Sequence, residues 1–134
     1  MGSWADYLEN KMLDHVFGAV TYTPPATLYF GLSTTTIADA GTGITEPSGN
    51  GYARKGVTNN TTNFPSAVAG AKTNGADITF DPASGSWGTV TDFFIADALS
   101  GGNILAYGVL GTPKAITSGD TAKIASGALS LSQA

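Results

Sequence analysis

The residue types that perform acid–base, nucleophilic or metal chemistry are almost missing from this chain. Its 134 residues hold no cysteine, one histidine (His15), one arginine (Arg54) and two glutamates, Glu9 and Glu46. His15 follows Asp14, which invites a Ser-His-Asp reading. Adjacent residues on a helix point in different directions, and no Gly-x-Ser-x-Gly elbow occurs, so His15 reads as a helix-surface histidine suited to the negative end of the dipole. Asp92 and Asp97 flank one apolar run and Asp77 and Asp81 another. A two-carboxylate glycosidase would need such residues to converge across a cleft, whereas aspartates at strand ends ordinarily cap turns. Calcium is the one metal whose oxygen ligands the chain could supply, from Asp39, Asp120 and the Gly/Asn/Thr loops. No loop has the dense alternating acidic pattern of a calcium motif, and the expectation is no metal and no cofactor. Gly41-Thr42-Gly43 and Gly49-Asn50-Gly51 lack the remaining glycines and the lysine of a phosphate loop.

Trp87, Tyr29, Tyr52 and Tyr107 could stack on sugars, although core or inter-subunit packing is the simpler role for each ring. Asn59-Asn60-Thr61-Thr62 contains overlapping glycosylation sequons that, without a secretion signal, describe only a polar loop. Charged residues make up 12% of the chain, about half the usual share, so the surface is rich in hydroxyls and amides. The net charge is −4 and the six basic residues are scattered, which argues against a nucleic-acid partner. No segment reaches the roughly 20 apolar residues of a membrane span. Asp6, Glu9 and Asp14 stand where a signal peptide needs a basic and then an uninterrupted apolar stretch, so the chain is expected to remain in the cytoplasm where it is made.

The elements that position these residues follow from periodicity. Trp4, Leu8, Met12 and Val16 recur at four-residue spacing, joined by Tyr7, Leu13 and Phe17, which predicts an amphipathic helix over residues 4–17. Ser3 followed by Asp6 resembles a capping box at its start, and Gly18 is the expected left-handed terminator. Beyond Gly18 the period becomes two. Strands are predicted at residues 26–33, 52–58, 77–80, 89–98, 104–110, 115–116 and 128–132, with Ser100-Gly101-Gly102-Asn103 as a hairpin turn. The dense centre Phe93-Phe94-Ile95 suggests a strand buried on both faces. The predicted fold is mainly β, an antiparallel β-sandwich or barrel-like domain over residues 19–134 with one amphipathic helix within residues 1–18. Two long stretches, residues 34–51 and 59–74, are expected to meet neighbouring subunits or point outward. Trp4, Tyr7, Leu8 and Met12 are the candidate interface residues: either they cover the end of the sandwich or they dock into a neighbour.

The opening string Trp4 to Gly18, with Tyr-Leu-Glu-Asn-Lys at residues 7–11, resembles a family of small tailed-bacteriophage virion proteins. The resemblance continues through residues 22–35, Glu46 to Arg54 with its Gly-Tyr-Ala-Arg string, residues 62–65 and residues 85–91. Members are usually labelled tail fibre or minor structural proteins. The resemblance implies a non-enzymatic virion component, assembled in the host bacterial cytoplasm and placed externally as a tail fibre, neck collar or capsid decoration. Its partners would be copies of itself, a homotrimer by analogy, together with other virion proteins of head, neck or tail. The competing reading is a host-receptor or glycan-binding module at a fibre tip, with Trp87, Tyr52 or Tyr107 lining a groove. The family supplies no catalytic motif to transfer.

Overall fold

The computed structural model describes residues 2–133. Its elements in chain order are β1 (Gly2–Trp4), α1 (Asp6–Val16), β2 (Thr27–Ser33), β3 (Lys55–Thr58), β4 (Ala71–Lys72), β5 (Ile78–Thr79), β6 (Gly88–Ala96), β7 (Ile104–Ile116), β8 (Lys123–Ile124) and β9 (Leu131–Ser132). Seven strands form one curled sheet in the order β3-β2-β6-β7-β1-β9-β4, and β5 pairs with β8 in a separate two-stranded ribbon. Every pairing is antiparallel except β1 with β9. The expected mainly β architecture with a single N-terminal helix is therefore present, as an antiparallel-rich sheet curled into a half-barrel.

The sheet is built around β6. Asp92, Phe93, Phe94, Ile95 and Ala96 are all buried, so this strand has a covered surface on both sides, as its continuous apolar run implies. Phe93 and Ile95 join the main core with Phe30, Leu32, Phe80 and Trp87, while Phe94 and Ala96 face a smaller cluster with Ile37 on the other side. Gly31 lies opposite Phe94 in the ladder, and a methyl group there would overlap the Phe94 ring. The β6–β7 hairpin turns where Gly101 and Gly102 take positive φ, and the Asp97 carboxylate accepts hydrogen bonds from the Asn103 backbone N–H (2.7 Å) and side-chain amide (2.9 Å).

Several local expectations are corrected. The helix begins at Asp6, with Ala5 as an N-cap that makes no side-chain hydrogen bond. Ser3 and Trp4 belong instead to β1, where backbone pairing to β7 on one side and β9 on the other replaces the single bond a cap would give. Ala19, not Gly18, holds the left-handed conformation after the helix, at φ 54°. The predicted strands at residues 104–110 and 115–116 are one strand, β7, whose ladder skips from Val109 opposite Asp92 to Lys114 opposite Val90. The intervening Leu110 to Pro113 swing wide as a bulge, so Pro113 needs no ladder partner. β1, β4 and β8 are additional short strands, held by partners rather than by any period of their own.

Each of the two long loops is anchored by an apolar residue sent inward over a face of the sheet, while most of its other residues stay exposed. Residues 34–51 place Ile37 and Ile44 over Phe94 and Ala96, and the Ile37 N–H donates to the buried Asp92 carboxylate at 3.3 Å. Residues 59–74 insert Phe64, 4% exposed, parallel to Phe30 at 6.2 Å between ring centres. The same loop ends at Asn74, buried, whose amide donates to Ala76 and Ala125 carbonyls and whose carbonyl accepts the Leu129 N–H.

Candidate functional site

The large apolar side chains left in solvent include Val68, Leu99 and Val109, each on a separate part of the fold, and one group around the end of α1. Among the described residues, Leu13, Val16, Phe17 and Val20 are 56%, 61%, 82% and 58% exposed. Leu13 and Val16 share one face of α1, Phe17 caps its end, and Val20 follows in the segment beyond it. No residue of α1 is fully buried; Tyr7, Leu8 and Met12 are half-buried and rest against the body of the module. Trp4 on β1, Met12, Leu13, Val16 and Phe17, with Glu9 and Gln133, line a groove of about 500 Å³. Isolated exposed apolar residues are ordinary, but a contiguous apolar groove marks a place where something else packs.

The structure thus divides the predicted interface set. Trp4 and Met12 line the groove; Tyr7 and Leu8 do not. The more exposed residues lie toward the end of the helix, Leu13 and Val16 in its second half, Phe17 at its cap and Val20 beyond it. The apolar character of residues 13, 16, 17 and 20 was visible in the sequence, but not that α1 stops at Val16 and leaves them in solvent.

The electrostatics around α1 are acidic. Asp6, Glu9 and Asp39 bring carboxylate oxygens within 4.8 Å of one another, Asp6 and Asp39 exposed and Glu9 half-buried. Asp6 and Glu9 occupy the first turn, where carboxylates suit the helix dipole. The Asp39 loop is pinned there: its carbonyl accepts the Asp6 N–H at 3.0 Å and its carboxylate accepts the Tyr107 hydroxyl at 2.9 Å. The one nearby cation on the helix, Lys11, sits 5.6 Å from the Tyr7 ring centre. Asp120, the other residue considered for calcium, is not part of this trio; it accepts the Thr117 N–H (2.8 Å) and hydroxyl (3.1 Å) in a turn.

The remaining candidate residues hold the fold together. His15 accepts the Tyr22 N–H through Nδ1 at 3.2 Å, which ties the segment after α1 back onto the helix. Asp77 accepts the Ser126 N–H and lies 3.7 Å from Lys123, and Asp97 holds the hairpin turn. Asp92 is buried beneath the Ile37 loop, so it does not share a cleft with Asp97.

The aromatic groove considered for glycan binding is not assembled. Trp87 is 4% exposed, donates Nε1–H to the Asn50 carbonyl at 2.9 Å and meets Tyr52 edge-on at 5.2 Å. The Tyr52 hydroxyl accepts the Leu32 N–H (3.0 Å) and donates to Glu46 (2.7 Å); burial pushes its ionisation well above the ordinary tyrosine range. Tyr107 lies on the opposite face, beside the Ile37 cluster. Glu46 also receives the Arg54 guanidinium through both oxygens, at 3.1 and 2.9 Å, and Arg54 donates on to the Ala98 and Gly101 carbonyls while lying 4.9 Å from the Phe94 ring centre. The Glu46-to-Arg54 string is therefore a fold-closing network that joins the 34–51 loop to the β6–β7 turn. A second cleft, about 410 Å³, opens between the β7 bulge and β8, floored by Leu32, Phe80 and Val90 with Lys114 and Lys123 among its lining residues.

Among the described residues no helix is long and apolar enough to cross a membrane. No curated protein matches the chain. The family model described as podophage GP4 fiber I protein gp80 matches residues 3–132, and the chain belongs to that fibre family.

Proposed function

We propose, from membership of this fibre family, that the protein is a non-enzymatic, external component of a tailed-phage virion that attaches to its neighbours through the exposed face of α1. The observation that carries the proposal is the exposed group Leu13, Val16, Phe17 and Val20 at the end of α1, three of whose members line one groove with Trp4 and Met12. Burying a leucine, valine or phenylalanine side chain is worth about 1.5–3 kcal/mol, so four of them in one group favour association strongly. The acidic side chains support the non-enzymatic reading, since Asp77, Asp92, Asp97 and Asp120 are each engaged in turn or loop contacts. A fibre position fits the family better than a neck collar or capsid decoration. Manufacture and assembly in the host bacterial cytoplasm fit a module that needs no disulfide. Copies meeting as a homotrimer would use other surfaces. Host-glycan binding has less support from these rings, because Trp87 is buried against a half-buried Tyr52 and Tyr107 lies on the opposite face.

The test is incorporation. Phage carrying Leu13→Ser with Phe17→Ser should assemble with this protein reduced or absent, measured as copies per purified particle by quantitative mass spectrometry. The isolated variant should melt within a few degrees of wild type, because both side chains are exposed. A normal copy number would overturn the proposal. Trp4→Ala is the poorer choice, since Trp4 is also a strand residue paired with Ala106.

A further inference from the structure

We infer that the α1 groove accepts an apolar segment flanked by lysine or arginine from a different virion protein, and not a second copy of this chain. This rests on the assembly role proposed above and names the chemistry of the partner. Size is the first argument. Eleven helical residues span about 16 Å, which presents a few hundred Å² of apolar surface at most. A stable dimer needs roughly 800 Å² from each partner, whereas a single inserted segment fits a groove of this length.

Charge is the second argument. Asp6, Glu9, Asp14 and Asp39 lie on or against α1, and Lys11 is the helix's own cation. Glu9 is itself a wall of the groove, the one charged residue among its lining. The most exposed residues, Val16 and Phe17, sit at the carboxyl end of the helix, where the dipole is negative. A second copy would bring two Glu9–Asp6–Asp39 clusters into the same contact, which opposes association, while a basic-flanked segment is attracted to that cluster.

The experiment uses the full chain and two fluorescein-labelled amphipathic peptides of about 14 residues, one of leucine and lysine and one of leucine and glutamate. Anisotropy should show the lysine peptide binding about tenfold or more tightly than the glutamate peptide. Glu9→Lys and, separately, Phe17→Ser should each weaken it about fivefold or more. Equal binding of the two peptides would overturn the inference. So would indifference to Phe17→Ser, which means a cation adsorbed on an acidic surface, or a concentration-dependent dimer in sedimentation equilibrium that Phe17→Ser abolishes. The two readings fail separately. If Leu13→Ser with Phe17→Ser blocks incorporation but Glu9→Lys particles carry normal copy numbers, attachment through α1 stands and the basic partner does not.

Discussion

Arg54 offers the sharpest quantitative test of how the fold is closed. Its side chain is 7% exposed and its guanidinium makes four hydrogen bonds, two to Glu46 and one each to the Ala98 and Gly101 carbonyls. Arg54→Met removes all four and keeps an unbranched side chain over the Phe94 ring, so packing changes little. Removing one partner of a buried ion pair costs about 3–5 kcal/mol. Glu46 is 28% exposed and retains Tyr52, so water partly resolvates it and the low end, about 3 kcal/mol, applies. For a domain of this length that corresponds to a melting temperature lowered by about 10 °C. The assay is urea unfolding followed by tryptophan emission, with Glu46→Gln and the double variant completing a mutant cycle. The expected coupling energy is about 1.5 kcal/mol or more, because each single change strands a charge that the double change removes. A loss below about 1 kcal/mol for Arg54→Met, or a coupling below about 0.5 kcal/mol, would mean the pair behaves as a solvated surface bridge and the reasoning is wrong.

Two further outcomes follow from the loops and the tyrosine network. Phe64→Ala should lower unfolding free energy by about 3–5 kcal/mol in the same urea assay, since a fully packed ring is lost from the core; a loss under about 1 kcal/mol would make the 59–74 loop a surface appendage. Tyr52 has its folded-state ionisation raised above the ordinary value of 10.0, chiefly by burial, so the native state holds a proton that the unfolded chain releases. Stability from Tyr52 is therefore complete below pH 10 and declines as pH climbs beyond it. Tyr52→Phe should cost about 1–3 kcal/mol at neutral pH, because the Leu32 N–H and Glu46 lose a partner, and should flatten the alkaline decline; an unchanged slope would assign that decline to other groups.

The long strands were readable from sequence because their burial imposes a period of their own. β2 alternates Phe30 and Leu32 toward the core, and the Phe93-Phe94-Ile95 run announces a strand covered on both sides. The two-residue strands β4, β5, β8 and β9 are held in place by neighbours, so their sequences carry little signal; the apolar runs around β5 and β9 marked those two, and β4 and β8 left no trace. Ser3-Trp4 followed the same rule in reverse: local chemistry suggested a cap, and a tertiary pairing with β7 and β9 outweighed it. The anchoring of the loops was not legible because their composition is polar while single inserted residues, Ile37 and Phe64, hold them to the sheet. For the candidate groove, helical spacing pointed to α1; which of its residues meet solvent depends on tertiary packing, a property no local window contains.

The place of β1 has a consequence for the order in which the chain folds. Gly2 pairs with Gly108 on one side and Leu131 on the other, so β1 is placed only when segments distant in sequence meet it. Closing contacts across about a hundred residues is slow relative to local hairpins such as β6–β7. α1 hangs directly from β1 and lines its groove together with Gln133. A chain interrupted before β9 leaves that groove without one of its walls and β1 with a single neighbour. The topology thus makes the α1 groove depend on contacts between segments more than a hundred residues apart.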